Sequence, residues 1–235
     1  MLIGTLISTT THAVGYEKDT FTTPEGKKLE ITFIKHGTLM FEYDGQIIHI
    51  DPVSDYADYT HMPKADFILI THEHGDHLDM KAINNVWKEN TKIISNDEAH
   101  KTIGKGEVMH NGDAKQLRTD VLLQAVPAYN NTPGREKFHP KGRGNGYILN
   151  LGTMRVYVAG DTEDIEEMKN LEKIDVAFLP VNQPYTMTVE QAARAAKMFN
   201  LAILYPYHYG ATKIEELKTL LSDTPAIEVR IRQLQ

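Results

Sequence analysis

Short apolar segments separated by turn residues run along the whole chain, and their lengths predict a protein rich in β-strands. Strands are expected at residues 29–35, 38–43, 46–51, 67–70, 93–94 and 108–110, and then at residues 121–126, 146–151, 154–161, 173–180 and 202–205. Two helices are expected between strands. Asp79 caps the first, which ends near Lys88, and a capping box of Thr188 and Gln191 starts the second.

The pattern of the first half is repeated in the second. One hairpin ends in Asp51 and a later hairpin ends in Asp161. Each hairpin is followed by a Lys-x-Asp entry into a buried strand, at residues 64–71 and 173–180. The repeat predicts two related halves of an α/β protein, because two sheets packed face to face with helices outside would bury all of these strands.

Composition narrows the functional classes. With 235 residues and 41% hydrophobic content, residues 21–235 are expected to form a single domain. The formal net charge of -7 argues against nucleic acid as a partner and favours a small-molecule substrate. The chain has no cysteine, so nitrogen and oxygen atoms must hold any metal. No apolar segment approaches the ~20 residues that span a bilayer, so no stable membrane insertion is expected, and the oligomeric state stays open.

Two interpretations of residues 1–20 stay open. A short apolar piece, with Thr11 and Ala13 at the spacing of a signal-peptidase site, is similar to the end of a signal peptide. Such a remnant would predict a periplasmic or secreted protein. An ordinary ragged terminus or edge strand would predict a cytoplasmic one.

The segment Phe-Ile-Leu-Ile-Thr-His-Glu-His-Gly-Asp-His-Leu, residues 67–78, concentrates three histidines and two acids directly after a buried strand. Sites in open α/β sheets lie at the carboxyl ends of such strands. A helical zinc-protease site is excluded, because the residue four positions after His72 is Asp76 and not histidine. His72 and His74 can face one metal ion, and Gly75 is expected to turn the chain so that Asp76 and His77 face another. The alternative is a polar surface loop, which would rarely contain three histidines so close together.

Residues 71–77 resemble the His-x-His-x-Asp-His signature of the metallo-β-lactamase superfamily, whose fold is a four-layer αββα sandwich. From about residue 29 onward the chain also follows the order of that family, with a hairpin ending in Asp51, the histidine loop, Gly160-Asp161 and a late His208. Within the family it resembles the branch that contains ascorbate 6-phosphate lactonase and the phospholipase D that acts on N-acylphosphatidylethanolamine.

The resemblance implies a ligand set: His72 and His74 for a first metal, Asp76, His77 and His208 for a second, and Asp161 bridging the two. Asp51 would orient a ligand histidine from behind. Taken alone, Asp161 could instead cap a helix at residues 162–169, and His208 could be an ordinary core histidine. The remaining histidines show no partner pattern and are taken as structural, with His36 the nearest of them to the expected pocket.

The sequence departs from the family at one expected ligand. Where the branch usually has Pro-Ala-x-His, this chain has Pro127-Ala-Tyr-Asn130. An amide oxygen is a much poorer zinc ligand than imidazole, so either the first site is weak or His139 folds back to replace the missing histidine. We therefore expect one tight and one weak site for zinc, with manganese, iron or nickel as alternatives, and Asn130→His would tighten the weak site.

The resemblance and the expected metal together predict hydrolysis. A divalent ion lowers the pKa of bound water to about 7 and polarises a carbonyl or phosphoryl oxygen. Asp161 would position the resulting hydroxide, and Asp76 would accept a hydrogen bond or a proton from it. The main alternative is a metal-binding sensor or scaffold without turnover, whose first site is degraded. A redox di-iron enzyme is disfavoured, because such relatives carry glutamate where His74 stands.

The segment 130–146 is long and carries an excess of positive charge. Arg135, Lys137, Lys141 and Arg143 outnumber Glu136 by three. Long loops often carry function, so Lys137, Lys141 and Arg143 are candidates for binding an anionic substrate, such as a phosphoester or a sugar-phosphate lactone. An ordinary solvated loop is the alternative.

Overall fold

The computed structural model of the chain describes residues 15–234, which form two mixed sheets of seven strands each. Strand β1, Lys18–Thr22, pairs antiparallel with the next strand at the edge of its sheet. The expected boundary between residues 20 and 21 therefore falls inside a strand. The signal-peptide interpretation rests on residues that lie outside the described part of the chain.

Each sheet is built from one contiguous half of the described chain. The first contains, in spatial order, β1, β2 (Lys28–Lys35), β3 (Thr38–Tyr43), β4 (Gln46–Ile50), β5 (Phe67–Leu69), β6 (Lys92–Ser95) and β7 (Glu107–Val108). The second contains β8 (Ala114–Arg118), β9 (Val121–Ala128), β10 (Gly144–Leu151), β11 (Met154–Val158), β12 (Lys173–Pro180), β13 (Asn200–Tyr207) and β14 (Glu228–Val229).

The two sheets share one pairing pattern. Strands β1 to β4 are joined by antiparallel pairings and β4 to β7 by parallel pairings. The same sequence of pairings holds from β8 to β11 and from β11 to β14. The prediction of two related halves is confirmed.

The sheets pack face to face through aromatic and branched side chains. The ring centre of Phe178 lies 6.2 Å from that of Phe33 and 5.9 Å from that of Phe41, across the two sheets. Burying such rings from water is a main source of stability for a sandwich of this kind. The core therefore lies between the sheets, and polar groups can lie at the ends of the strands.

Short helices cover the outer faces. They are α1 (Met80–Val86), α2 (Asp97–Ile103), α3 (Val189–Ala196) and α4 (Glu216–Leu220), with a 3-10 helix at Glu166–Asn170. The Asp79 carboxylate accepts from the Lys81 amide at the start of α1, and Thr188 forms a capping box with Gln191 at the start of α3, as predicted. Ile83 and Ile103 pack against Ile68 on the outer face of the first sheet. The layer order is helices, sheet, sheet, helices, which confirms the predicted αββα sandwich.

Membrane crossing by a helix finds no support in residues 15–234, where no helix has both the length and the apolar character that a span requires.

Six strands end at one edge of the sandwich. In the first sheet β2, β4 and β5 run in the same direction, so their carboxyl ends lie at the same end of the sheet. The same holds for β9, β11 and β13 in the second sheet. The segments that follow these strands carry the histidines and acids identified in the sequence. The fold thereby brings residues as distant as 36 and 208 to a common point.

Candidate metal centre

Three imidazoles from two different loops form the first ligand group. His72 and His74 follow β5, and His139 lies in the loop between β9 and β10. One ring nitrogen from each lies within 4.8 Å of the others. The ring centres of His72 and His139 are 5.1 Å apart and nearly perpendicular. Three imidazoles converging in this way are a common donor set for zinc and related divalent ions.

A second ligand group lies on the other side of the same loop. His77 and Asp76 follow β5, and His208 follows β13, so that the two halves of the chain each contribute. The His208 Nε2 atom lies 3.5 Å from the Asp76 Oδ2 atom, and the His77 Nε2 atom lies 3.8 Å from the same oxygen. Nitrogen and oxygen donors at these separations can share one divalent ion.

Asp161 stands between the two groups. Its Oδ2 atom lies 3.2 Å from the Nε2 atoms of both His139 and His208, and its Oδ1 atom lies 3.3 Å from the His77 Nε2 atom. One carboxylate therefore faces a histidine of the first group and two of the second. This is the position that a bridging ligand requires.

The buried nitrogen and oxygen atoms of this centre are better explained as metal ligands than as hydrogen-bond partners of one another. Within the described residues, the Nε2 atoms of His72, His77, His139 and His208 and the Oδ1 atom of Asp161 are buried without a hydrogen-bond partner. Leaving a buried polar atom unpaired costs about 1–3 kcal/mol each. Five such atoms, on Asp161 and the four histidines around it, therefore indicate divalent metal ions as their partners.

Asp51 supports the centre from behind. Its carboxylate is fully buried, accepts from the Thr71 backbone amide at 2.8 Å and from the Thr71 hydroxyl at 2.6 Å, and lies 2.7 Å from the His77 Nδ1 atom. An ionised carboxylate there favours a proton on Nδ1 and so turns the free Nε2 atom of His77 toward the ligand group.

The electrostatics of the centre follow from burial and from charge pairing. Burial, and next the positive charge of His77, lower the pKa of His72 well below its ordinary value. Burial would raise the pKa of Asp161, but the nearby His208 and His77 outweigh it and hold that pKa well below the usual range. Burial likewise opposes the charge on His208, yet the Asp161 carboxylate raises its pKa to about 9. The centre thus stabilises an ionised Asp161 among imidazoles.

The turn that carries the histidines is packed differently from the expectation. Gly75 has no left-handed φ, and a Cβ atom built on it meets nothing within 4 Å, so the predicted need for glycine there is wrong. The close approach is instead at Gly37, where a Cβ atom would lie 2.6 Å from the His77 Cε1 atom. The β2–β3 turn therefore packs directly on the ring of His77.

Asn130 does not join the ligand groups. Its side-chain amide donates to the Tyr185 carbonyl at 2.7 Å, and its backbone amide donates to the His139 carbonyl at 2.9 Å. The same Tyr185 carbonyl lies 3.0 Å from the His139 Nδ1 atom. Asn130 thus helps to fix the loop that carries His139, and His139, not Asn130, lies beside His72 and His74.

The two alternative explanations of the later residues are wrong. The 3-10 helix begins after Ile165, so Asp161 caps no helix at residues 162–169. His208 is buried, but neither of its ring nitrogens has a hydrogen-bond partner among the described residues, unlike an ordinary core histidine.

His36 was missed as part of the centre. Its Nε2 atom lies 3.2 Å from the Asp76 Oδ2 atom, and its ring centre is 3.6 Å from that of His208. It occupies the tight turn between β2 and β3 with a left-handed φ of 56°, an uncommon conformation for a residue with a side chain. A single histidine in Lys-His-Gly-Thr carries no spacing signal, and only its place next to a tight turn pointed to it.

The positive charges of the 130–146 loop are mostly paired with acids. The Arg143 guanidinium lies 2.7 Å from the Glu73 carboxylate, and the Lys141 ammonium lies 2.8 Å from that of Glu167. Arg135 lies 3.4 Å from the buried Glu163. Lys137 is exposed, with its ammonium 5.1 Å from the Phe138 ring centre. The loop therefore presents much less free positive charge than its sequence suggests.

Comparison with known proteins gives a consistent result. Residues 30–208 match the family model described as the beta-lactamase superfamily domain. The chain is 30% identical over 195 residues to a metal-dependent hydrolase of the UPF0173 group from Nanoarchaeum equitans, covering 79% of this chain and 86% of that protein.

Two solved structures extend the comparison. A protein from Parabacteroides distasonis, assigned provisionally as a metal-dependent hydrolase, is 62% identical with a TM-score of 0.92, covering 94% of this chain and all of that one. The metallo hydrolase Igni18 from Ignicoccus hospitalis is 25% identical with a TM-score of 0.73, covering 88% of this chain and 95% of that one.

Proposed function

This chain belongs to the beta-lactamase superfamily and is a metal-dependent hydrolase, and we propose that it cleaves an ester, phosphodiester or lactone bond in a small anionic substrate. The observation that carries the proposal is the convergence of buried, unpartnered donor atoms from both halves of the chain on Asp161. When bound there, a divalent ion lowers the pKa of bound water to about 7, polarises a carbonyl or phosphoryl oxygen and attracts negative charge.

The residues around the centre would have different roles in hydrolysis. His72, His74 and His139 would hold one ion, and His77, Asp76 and His208 the other. Asp161, ionised and facing both groups, would contribute a carboxylate oxygen to each.

Asp76 is the acid that best meets the substrate. Its side chain is 40% exposed, in contrast to the buried Asp161, and its Oδ2 atom is oriented by His36. Burial would raise the pKa of Asp76, but the neighbouring His208 and His36 outweigh it and hold that pKa well below its usual range. It is therefore placed to accept a hydrogen bond or a proton during the reaction.

His139 supports an enzyme over a degraded metal-binding scaffold. The scaffold alternative depended on Asn130 leaving the first group short of an imidazole, and His139 supplies one. On this basis we propose two sites of comparable affinity, instead of one tight and one weak site, with zinc as the first metal to test.

The test combines metal content with turnover. Protein stripped with a chelator would be reloaded with zinc, manganese, iron(II) or nickel, its stoichiometry measured by plasma mass spectrometry, and its activity measured on phosphodiesters, phosphomonoesters and lactones. We expect two ions per chain and turnover that the chelator removes and the metal restores. Full metal loading without turnover on any of these classes would favour the scaffold.

Asp161→Ala provides the residue-level test. We expect it to abolish hydrolysis while the protein stays folded, because the carboxylate bridges the ligand groups and lies outside the apolar core. Asp113→Ala, which removes an exposed carboxylate beside His110, is the matched control and should leave activity unchanged. Activity of Asp161→Ala within about tenfold of the wild type, with metal bound, would rule out the bridging role.

A further inference from the structure

A cavity of about 480 Å³ opens beside the metal centre. Half of its ten lining residues are ligand candidates: His74, Asp76, His139, Asp161 and His208. The other five are His36, Asn182 and three aromatic side chains, those of Tyr56, Phe138 and Tyr185. Its volume lies in the range of about 300–1,000 Å³ that small-molecule sites occupy.

The part of the cavity beyond the ligands is uncharged. Among residues 15–234, no lysine or arginine lines it. Lys137 lies outside the lining, over the Phe138 ring. Burial, and next the charge of Asp76, raise the pKa of Tyr56 to about 12, so this phenol stays neutral. A group that extends from the metal centre into this space meets aromatic carbon and neutral polar atoms.

The aromatic walls are held at fixed positions relative to the ligands. The Tyr185 carbonyl contacts the His139 Nδ1 atom, so the residue that carries the exposed ring also orients a ligand. On the other side, the Tyr56 ring centre lies 5.7 Å from that of His36, which contacts Asp76. Both walls are thereby tied to residues of the metal centre, which fixes where a bound ring would lie.

Two of the rings leave aromatic surface open to a ligand. Phe138 and Tyr185 meet edge to face, with ring centres 5.1 Å apart and an interplanar angle of 74°. Tyr185 is 47% exposed, although it is a large aromatic residue. A third ring can pack against such a pair in the offset or edge-to-face geometry that aromatic groups prefer.

We propose that this cavity selects substrates in which a flat, uncharged ring is attached next to the group that is hydrolysed, with the ring packed among Tyr56, Phe138 and Tyr185. The inference rests on the proposed function, because the hydrolysed group has to reach the metal centre. It also narrows that function. A substrate with a second, remote phosphate, such as a sugar-phosphate lactone, would place that phosphate where no cation of residues 15–234 lines the cavity.

Binding of phosphonates to the metal-loaded protein tests this without knowledge of the natural substrate. Phenylphosphonate, cyclohexylphosphonate and methylphosphonate carry the same metal-binding group and differ only in the attached group. Isothermal titration calorimetry would give their dissociation constants. We expect phenylphosphonate to bind at least about tenfold more tightly than methylphosphonate, and more tightly than the cyclohexyl compound, which matches its size but is not flat.

Variants locate the effect. Tyr185→Ala and Phe138→Ala should each reduce the phenyl-to-methyl ratio to within about threefold, because each removes one ring of the pair. Tyr185→Phe keeps the ring and should keep the ratio. Trp87→Ala removes an exposed aromatic residue that does not line the cavity, and it should also keep the ratio.

The outcomes separate this inference from the proposed function. Equal binding of the three phosphonates by the metal-loaded wild type, or a ratio that survives both alanine variants, would overturn the aromatic selection and leave the hydrolase intact. A protein that takes up no metal and binds no phosphonate would overturn the proposed function, and the selection with it.

Discussion

The proposed role of His139 as the third imidazole of the first group gives the sharpest test of the metal centre. His139→Ala removes one of three imidazoles of the first group and leaves the Tyr185 carbonyl without its histidine partner. Losing even a residue that only supports a ligand typically costs about 10–100-fold in metal affinity, so losing the ligand itself should cost at least that much. This corresponds to about 1.4–2.7 kcal/mol.

Asn130 should behave as a support for His139 and not as a ligand. Asn130→Ala removes a buried hydrogen bond to the Tyr185 carbonyl, a loss of about 0.5–1.5 kcal/mol, and should weaken the first site by at most about tenfold. Asn130→His places a larger ring in a site that is 1% exposed, where overpacking costs about 1–3 kcal/mol. We expect it to weaken the site, although the sequence alone suggested that it would tighten it.

Zinc titration into chelator-stripped protein measures these effects, with thermal unfolding of the metal-free variants as the control for folding. His110→Ala, which removes an exposed histidine paired with Asp97, is the matched control and should titrate like the wild type. Wild-type stoichiometry and affinity in folded His139→Ala, or a site tightened by Asn130→His, would refute the assignment of His139.

Three further predictions concern the support of the centre and the core. Asp51→Asn should lower metal affinity by about 10–100-fold. The asparagine amide can donate to the His77 Nδ1 atom, which favours the tautomer whose Nε2 atom carries the proton and therefore cannot bind a metal. Unchanged affinity would contradict this role of Asp51. Gly37→Ala should also lower metal affinity, since its Cβ atom would lie 2.6 Å from the His77 ring, whereas Gly75→Ala, with nothing within 4 Å, should not. His49 is fully buried, and burial lowers its pKa from 6.5 to about 4. Between these two pH values the histidine is therefore protonated in the unfolded chain but neutral in the folded one. The free energy of unfolding should therefore fall by about 3 kcal/mol as the pH drops from 6.5 to 4, and His49→Phe should flatten that slope in denaturant titrations; an unchanged slope would count against it.

Strongly patterned parts of the fold could be predicted from the sequence. The hairpins, the buried central strands and both capping signals stand out because each buries several apolar residues or uses a specific cap. Strand β1 was foreseen only as an open alternative for the first 20 residues. Strand β8 was missed because it lies at a sheet edge and buries only Leu117, and β14 was missed because it has only two residues. Helix α2 was missed for a similar reason, since it buries only Ala99 and Ile103.

The residues of the candidate metal centre also differ in how well the sequence predicted them. His72 to His77 form a local pattern that is visible in one stretch of sequence. The choice between Asn130 and His139 depends on how a long loop folds, and spacing cannot decide it. The pairing of Arg143 with Glu73 joins residues that are 70 positions apart, so the net charge of the loop segment gave a misleading picture of its surface.

The division of the ligands between two contiguous halves has a consequence during synthesis on the ribosome. The first sheet, with His72 to His77, is complete in sequence before Asp161 and His208 have been made. The proposed ligand set is therefore complete only after the second sheet has docked on the first, and metal bound there would stabilise the docked state. Each ion at a hundredfold excess over its dissociation constant would add about 2.7 kcal/mol to the stability of that docked state. We therefore expect the supply of free metal to influence how much of the newly made chain reaches the docked state.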